Sequence, residues 1–383
     1  MLDEILSDRL KNYYEANLYR TRHIYDHKDH CIFCSNDYLG LTKHPEVIKA
    51  FKKYADAYGV GSGASQLITG HSYPHRILED AFAEFLNRDR GLLFSSGYLA
   101  NIGAVTALMD NESAVFEDKL NHASLIDAGM FSKAKVHRYA HNDIKHLESY
   151  LLKSNHKQKL IITDGVFGMD GNIAKLPELS MLAKRHNAWL MVDDAHSIGV
   201  LGNNGGGTLE HFNLQQQDVP ILVCPLGKAL GCCGAIVAGT NALVESLIQF
   251  ARTYIYNTAI PPAIAGALYA SLQVIKKEAW RRKKLTYLIN YFKQQANIRN
   301  LTFLPSATPI QSFIIGDAKT SLVISEKLLS RGFVAVAIRP PTVPQNTSRL
   351  RISLNCLHTE KQINDLLDNL AEIYAQTENR RKF

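Results

Sequence analysis

Between about residues 46 and 275, short apolar runs alternate with stretches in which apolar residues recur every three or four positions. That alternation marks strand-helix-strand units and predicts an α/β fold, a mostly parallel sheet covered by helices. The runs predict strands at 91–94, 159–163, 189–193, 221–224 and 234–238. Between two of them PELSMLAKRHN (177–187) predicts a helix. It has Pro177 in its first turn and Lys184, Arg185 and His186 at the end where the helix dipole favours positive charge. Beyond 276 a basic helical stretch, KKEAWRRKKLTYLINYFKQQ, leads to shorter strands and two further helices. The pattern predicts an N-terminal segment 1–45, a large domain 46–275 and a smaller α+β domain 276–383. A chain of this length exceeds what one compact core usually organises.

Composition narrows the picture. With 46% hydrophobic and 21% charged residues, the chain has the balance of an ordinary globular protein. No apolar run reaches the ~18 residues that cross a bilayer. The N-terminal MLDEILSDRLKNYY is charged and helix-like, unlike a secretion signal. The cytoplasm is the expected address, with no membrane involvement. The net charge of +7 suits an anionic substrate and equally suits simple solubility. No basic run is interleaved with aromatics, so nucleic acid is not an expected partner. Of the six cysteines, Cys31 and Cys34 have CxxC spacing. No second pair or His cluster completes four ligands, so a structural role on a strand, and no metal, is expected.

Ligands of open parallel sheets collect at the carboxyl ends of the strands. Three segments there stand out: SSGYLAN from Ser95, DAHSIG from Asp194 and PLGKALG from Pro225. Gly227 and Lys228 do not complete a phosphate-binding P-loop, which would need Gly where Leu222 stands and Ser or Thr where Ala229 stands. Gly59, Gly61 and Gly63 have the wrong spacing for a dinucleotide fingerprint. Lys228, flanked by small residues, leaves space for a planar ring at its amine, although such a lysine taken alone is more often a surface residue. Asp193 ends one of the predicted strands, and a carboxylate against a pyridine nitrogen keeps that ring protonated as an electron sink. Taken alone, DDAH could equally be loop capping. Ser96, Gly97 and Tyr98 lie where a strand passes into a helix, and amides at such a start suit a phosphate. His122, in DKLNHASL, could stack on a ring or be a structural histidine.

The ordered segments SNDYLGL (35–41), GSGAS (61–65), TGHS (69–72), SSGYLAN (95–101), DKLNHASLIDAG (118–129), DGVFGMDG (164–171), VDDAHSIGVLG (192–202), LGKALG (226–231) and IRPPTVP (338–344) closely resemble the α-oxoamine synthases. These are fold-type I pyridoxal-phosphate transferases, and the resemblance spans about residues 30 to 370. It implies that Lys228 is the Schiff-base lysine and proton carrier, that Asp193 partners the pyridine nitrogen, that His122 stacks on the ring and that His196 bonds the ring hydroxyl. Ser96, Gly97 and Tyr98 would hold the phosphate, with Thr258 reaching the phosphate of a neighbouring subunit in a homodimer with shared active sites. Arg351, in SRLRISLN, would grip the substrate carboxylate by the two-pronged geometry that guanidinium allows. Arg20 and Arg339 are further substrate-binding residues on this reading.

AIRPPTVP, SNDYLGL and AHNDIKHLE look most like the branch that joins L-alanine to a pimeloyl thioester, carried by CoA or by an acyl carrier protein, in biotin formation. A sister activity with another amino acid and acyl donor, such as glycine acetylation, and a non-catalytic cofactor-binding subunit are the alternatives. The chain departs from the family pattern where Gly168 replaces a serine beside the ring hydroxyl and Pro225 replaces a phosphate-binding threonine. Each loss of a hydroxyl predicts weaker cofactor binding, by about 1 to 3 kcal/mol. On that basis a Gly168→Ser, Pro225→Thr double variant is expected to bind cofactor more tightly.

Overall fold

A computed structural model describes residues 2–25 and 29–379. Its strands are β1 Cys31–Ile32, β2 Arg90–Phe94, β3 Ala114–Asp118, β4 Lys135–Tyr139, β5 Lys159–Asp164, β6 Trp189–Asp193, β7 Ile221–Pro225, β8 Ala235–Gly239, β9 Ile310–Gly316, β10 Phe333–Val334, β11 Val336–Ile338 and β12 Ser348–Ser353. The chain divides into two units. One comprises Asn36–Gly168 and Ile173–Lys283, the other Met1–Ser35, Met169–Asn172 and Lys284–Phe383.

The larger unit is built on a seven-stranded sheet in the order β2-β8-β7-β6-β5-β3-β4. The run from β7 to β4 is parallel throughout, while β8 is antiparallel to both its neighbours, β2 and β7. Because β8 is reversed between them, β2 points the same way as the parallel run. The carboxyl ends of β2, β3, β4, β5, β6 and β7 therefore lie on one edge. The central strands read as continuous apolar runs because helices cover both faces of such a sheet. Leu92, Phe94, Val115, Leu160, Ile162, Met191, Val223 and Val237 form its core with Ala100, Ala104 and Val105 of the helix Gly97–Leu108. The helix expected at 177–187 spans Leu176–Arg185, with His186 at its C-cap. Asn187 follows in the left-handed region at φ 49°, which ends the helix.

Two strands of this sheet, β3 and β4, are absent from the apolar pattern. β3 (AVFED) is buried along its whole length and carries two acids, while β4 (KVHRY) is the mixed, half-exposed edge. Glu117 on β3 is opposite Arg138 on β4 in the register, and the two pair at 3.0 Å. A charge inside a strand is tolerated there because its partner comes from the neighbouring strand.

The smaller unit holds an antiparallel sheet in the order β11-β12-β9 and a parallel pair of β1 with β10. The helices Ala318–Ser330 and Glu360–Asn379 also belong to it. This is the α+β organisation expected of the C-terminal part. Periodicity put the division near 275 and set 1–45 apart; the units instead divide within the helix Trp280–Ile298 and between 35 and 36. Cys31 and Ile32 pair with Phe333 and Val334, some three hundred residues on, a partnership that local periodicity does not carry. Among the described residues no helix is long and apolar enough to cross a membrane, and no group of three or more His, Cys, Asp or Glu could hold a metal ion.

Candidate active site

At the end of β2 the chain turns into the helix Gly97–Leu108. Ser96 is its N-cap, with Oγ accepting from Leu99 N at 3.2 Å. The amides of Gly97 and Tyr98 precede that bond and have no acceptor within the helix, so they face outward at the positive end of its dipole. The turn has no room for a side chain. A Cβ on Gly97 would lie 2.7 Å from Pro225 Cγ. Pro225 thus packs its ring where the family has a threonine. Its missing N–H is not needed, because the β6–β7 ladder stops at Val223. Asn257 donates to Ser95 Oγ, which ties the segment carrying Thr258 to this turn. Thr258 itself is exposed and forms an antiparallel bridge with Ser65.

Asp193 and Asp194 end β6 and separate. Asp193 accepts from Asn101 Nδ2 at 2.6 Å and from Ala195 N at 3.0 Å, and is buried. Asp194 is fully buried and receives Ser197 Oγ, Thr208 Oγ1 and, at 2.9 Å, Thr208 N. Burial pushes Asp194 up to about 6 against those hydrogen bonds. Its carboxylate fixes the loop that follows, and a Cβ on Gly207, at φ +84°, would lie 1.8 Å from it.

Asp164 ends β5 opposite Asp193 in the register and is also buried. Burial raises its pKa, the negative Asp193 adds to the rise, and the amide of His122 at 2.7 Å and the Lys228 charge oppose it. Of the two neighbouring carboxyls, Asp164 is the one whose buried surroundings favour the protonated form. His122 caps the helix Ala123–Phe131, its Nδ1 accepting from Ser124 N at 3.3 Å and lying 2.7 Å from Ser124 Oγ. Enclosure by the protein holds this imidazole below its ordinary pKa; Lys228 acts in the same direction, and Asp193 opposes. Lys228, His122, Asp164 and Asp193 are therefore within electrostatic reach of one another. His196 is buried, with Nδ1 2.7 Å from the hydroxyl of Tyr38.

This donor set fits pyridoxal phosphate: a buried carboxyl braced by Asn101 for a ring nitrogen, a flat imidazole held below its ordinary pKa, a half-buried lysine, and two first-turn amides over a turn with no room for a side chain at Gly97. The cavity of about 500 Å³ lined by Glu84, Arg88, Glu210 and Lys276 contains none of these residues.

The expected substrate arginines belong to the smaller unit. Arg351, at mid-strand in β12, is buried and donates to Ser353 Oγ at 3.0 Å. Arg349, two residues earlier and so on the same face, is instead engaged by Asp170. Arg20 and Arg339 line one cavity of about 590 Å³ with His23, Tyr25, Ser325 and Thr342. Arg20 donates to Thr342 Oγ1 at 3.2 Å, and Arg339 donates to the carbonyls of Asn17 and Tyr19. Burial and the charge of Arg20 lower the pKa of Arg339.

Three residues with no role assigned from sequence enter the site: Asn101 on Asp193, Asp164 beside it, and Tyr38 on His196. All lie inside the segments SSGYLAN, DGVFGMDG and SNDYLGL. The only local signal is a polar residue at a position that burial makes costly unless it is paired.

Residues 28–370 match the family described as Aminotransferase class I and II. A protein of Saccharophagus degradans named 8-amino-7-oxononanoate synthase is 52% identical over 91% of this chain and 88% of its own length. Among solved structures, the 8-amino-7-oxononanoate synthase of Francisella tularensis is 33% identical, with a TM-score of 0.80 over 91% of this chain and 99% of that one. A serine palmitoyltransferase with pyridoxal phosphate as its internal aldimine is 25% identical, with a TM-score of 0.91 over 98% of both chains.

Proposed function

The chain belongs to the aminotransferase class I and II family and, within it, to the α-oxoamine synthases, and from that premise we propose that it condenses L-alanine with a pimeloyl thioester. The products are 8-amino-7-oxononanoate, carbon dioxide and the free thiol of CoA or of an acyl carrier protein. The observation that carries this reading is the convergence of Lys228, Asp193, His122 and the Gly97–Tyr98 amides at one edge of the sheet, in a chain half identical to a named synthase of this type.

Pyridoxal phosphate, when bound, supplies the electron sink that allows a carbanion at the amino-acid α-carbon. Lys228 Nζ would be the point of attachment and, as a free amine, would carry the proton to and from the amino-acid α-carbon. Asp193, accepting from Asn101 Nδ2, would face the ring nitrogen and favour its protonated form. His122 would cover a ring face, its imidazole held below its ordinary pKa chiefly by burial. The amides of Gly97 and Tyr98 receive the phosphate. Arg351 pairs with the alanine carboxylate, while Arg20 and Arg339 serve the acyl substrate. Val60, Ile68, Tyr73 and Tyr256 are 93%, 75%, 67% and 72% exposed, an apolar surface that supports a homodimer with Thr258 at the join. All six cysteines are unpaired, which supports a reducing, cytoplasmic address.

The protein reconstituted with pyridoxal phosphate is expected to absorb in the yellow region, with the band lost in Lys228→Ala and shifted by L-alanine. Adding a pimeloyl thioester, on CoA or on the carrier protein, should then release one thiol and one carbon dioxide per product. A normal band indifferent to L-alanine would overturn the substrate assignment, and no band at all would overturn the cofactor.

A further inference from the structure

We propose that the cavity at the amino-terminal edge of the seven-stranded sheet is a second, non-catalytic binding site, and that it takes a small aliphatic monocarboxylate whose charge pairs with Arg88. The site shares no residue with those assigned to the condensation, and the proposal does not depend on that assignment.

Arg88 stands just before β2, and its Nη1 donates at 2.8 Å to the carbonyl of Val219, just before β7. Both strands begin at the edge opposite the one where the Gly97 turn and Asp193 lie. Arg88 is only 8% exposed, and among the described residues neither Nε nor Nη2 has an acceptor. Burial pulls its pKa down to about 10, although Cys224, Asp218, Asp89 and Asp194 oppose the fall. The two of these acids that are buried or half-buried have other partners. Asp218 is held by Lys184 and by Gln215 N at 2.7 Å, and Asp194 by Ser197 and Thr208. A guanidinium taken out of water is costly unless an anion pairs with it, and here the protein supplies none in contact. With Nη1 committed to Val219, the edge left over is Nε–H beside Nη2–H. That edge is the flat fork that meets the two oxygens of a carboxylate.

The cavity that Arg88 lines has a volume of about 500 Å³, room for a small organic acid. Phe85, Leu209, Leu214 and Leu222 give it apolar wall for an aliphatic body. Its charged lining is balanced: Arg88 and Lys276 against Glu84 and Glu210. Lys276 Nζ lies 5.6 Å from the centre of the Phe85 ring, and Glu210 is spent on the turn Asn204–Gly206, accepting from both backbone amides at 3.0 and 2.7 Å. A single negative charge therefore completes Arg88, whereas a phosphate dianion would also meet the two acids. The frame is fixed by hydrogen bonds. Asn87 Nδ2 donates to Gln215 Oε1 at 3.3 Å and Asp89 N to Gln216 Oε1 at 3.2 Å, joining the loop before β2 to the loop before β7.

The test uses the cofactor-loaded protein with nitrogen-15-labelled arginine and hexanoate as the probe. The Arg88 Nε–H signal is assigned by its loss in Arg88→Lys and by its shift in Leu214→Glu. Hexanoate is expected to move that signal saturably, and neutral hexanamide, of the same size, to leave it in place. Leu214→Glu keeps the bond to Val219 and puts a carboxylate of the protein's own into the cavity. It should weaken hexanoate at least tenfold, the loss of a hydrogen bond to a charged group, in a protein shown to be folded by circular dichroism. An Arg88 signal that hexanoate does not move, equal binding of hexanamide, or unchanged affinity in Leu214→Glu would each overturn the proposal. Hexanoate that moves the Arg20 and Arg339 signals alone would do the same, because it would be bound elsewhere. Inorganic phosphate displacing hexanoate from Arg88 with equal affinity would overturn the monocarboxylate class.

Discussion

Asp193 and Asp194 are adjacent in the chain and chemically identical, yet their surroundings give them different work. Asp193 is braced by Asn101 and Ala195, and on the proposed reading faces the cofactor, while Asp194 is surrounded by Ser197 and Thr208 and holds a loop. On that reading Asn101 would bear on the cofactor through Asp193. Asn101→Ala is expected to raise the cofactor dissociation constant about tenfold, the usual loss for a hydrogen bond to a charged group, with little change in thermal stability once loaded. An unchanged constant on absorbance titration would remove Asn101 from the site. Arg351 is open to a conservative test. Arg351→Lys keeps the charge but loses the planar fork. It should raise KM for L-alanine by about ten- to a hundredfold, equivalent to about 1.5–3 kcal/mol, with KM for the thioester unmoved. Equal effects on both substrates would place Arg351 elsewhere in the reaction.

Elements bring such residues to one place, and the edge strand β2 illustrates how. Its outer side has no strand neighbour, and Leu93 there finds side-chain partners instead: its N–H donates to Glu79 Oε1 at 2.8 Å and its carbonyl accepts from Gln66 Nε2 at 2.6 Å. The helix Tyr73–Phe85 thereby closes the edge of the strand that leads into the phosphate turn. Burial pushes Glu79 up from 4.5 to about 8; Asp80 adds to the rise, while the Leu93 amide, Arg90 and Arg76 oppose it. A carboxyl whose folded pKa lies above its unfolded value keeps its proton in the native state. Its stabilising contribution is complete at low pH and is lost as pH rises from the ordinary carboxyl range through 8. Glu79→Gln keeps the acceptor and cannot ionise. Its stability advantage over the parent protein should widen across that window by up to about 1.4 kcal/mol per pH unit. Urea unfolding at pH 5, 6.5 and 8 measures the gap, and a constant gap would show that Glu79 is not protonated in the native state.

At the scale of the whole molecule, the exposed apolar residues Val60, Ile68 and Tyr73 flank the segment that Thr258 joins through Ser65. The protein is expected to sediment at twice its chain mass, and Ile68→Glu to shift it toward monomer with weakened cofactor binding. A monomer that binds cofactor as tightly as the parent protein would sink the shared-site reading. The sequence by itself determined the parallel α/β class, because strands covered on both faces must be apolar throughout. It also brought forward Lys228, Asp193, His122 and the Gly97 turn as candidates, because the consecutive residues that carry them resemble the segments of a known family. Only the tertiary structure decided the rest. The strands β3 and β4 carry charges that make sense once Glu117 faces Arg138; burial, with Asp193 beside it, favours the proton on Asp164; a Cβ on Gly168 would meet the His196 ring. Each of these depends on a partner tens of residues away, and electrostatics and packing act across distances that sequence order does not record.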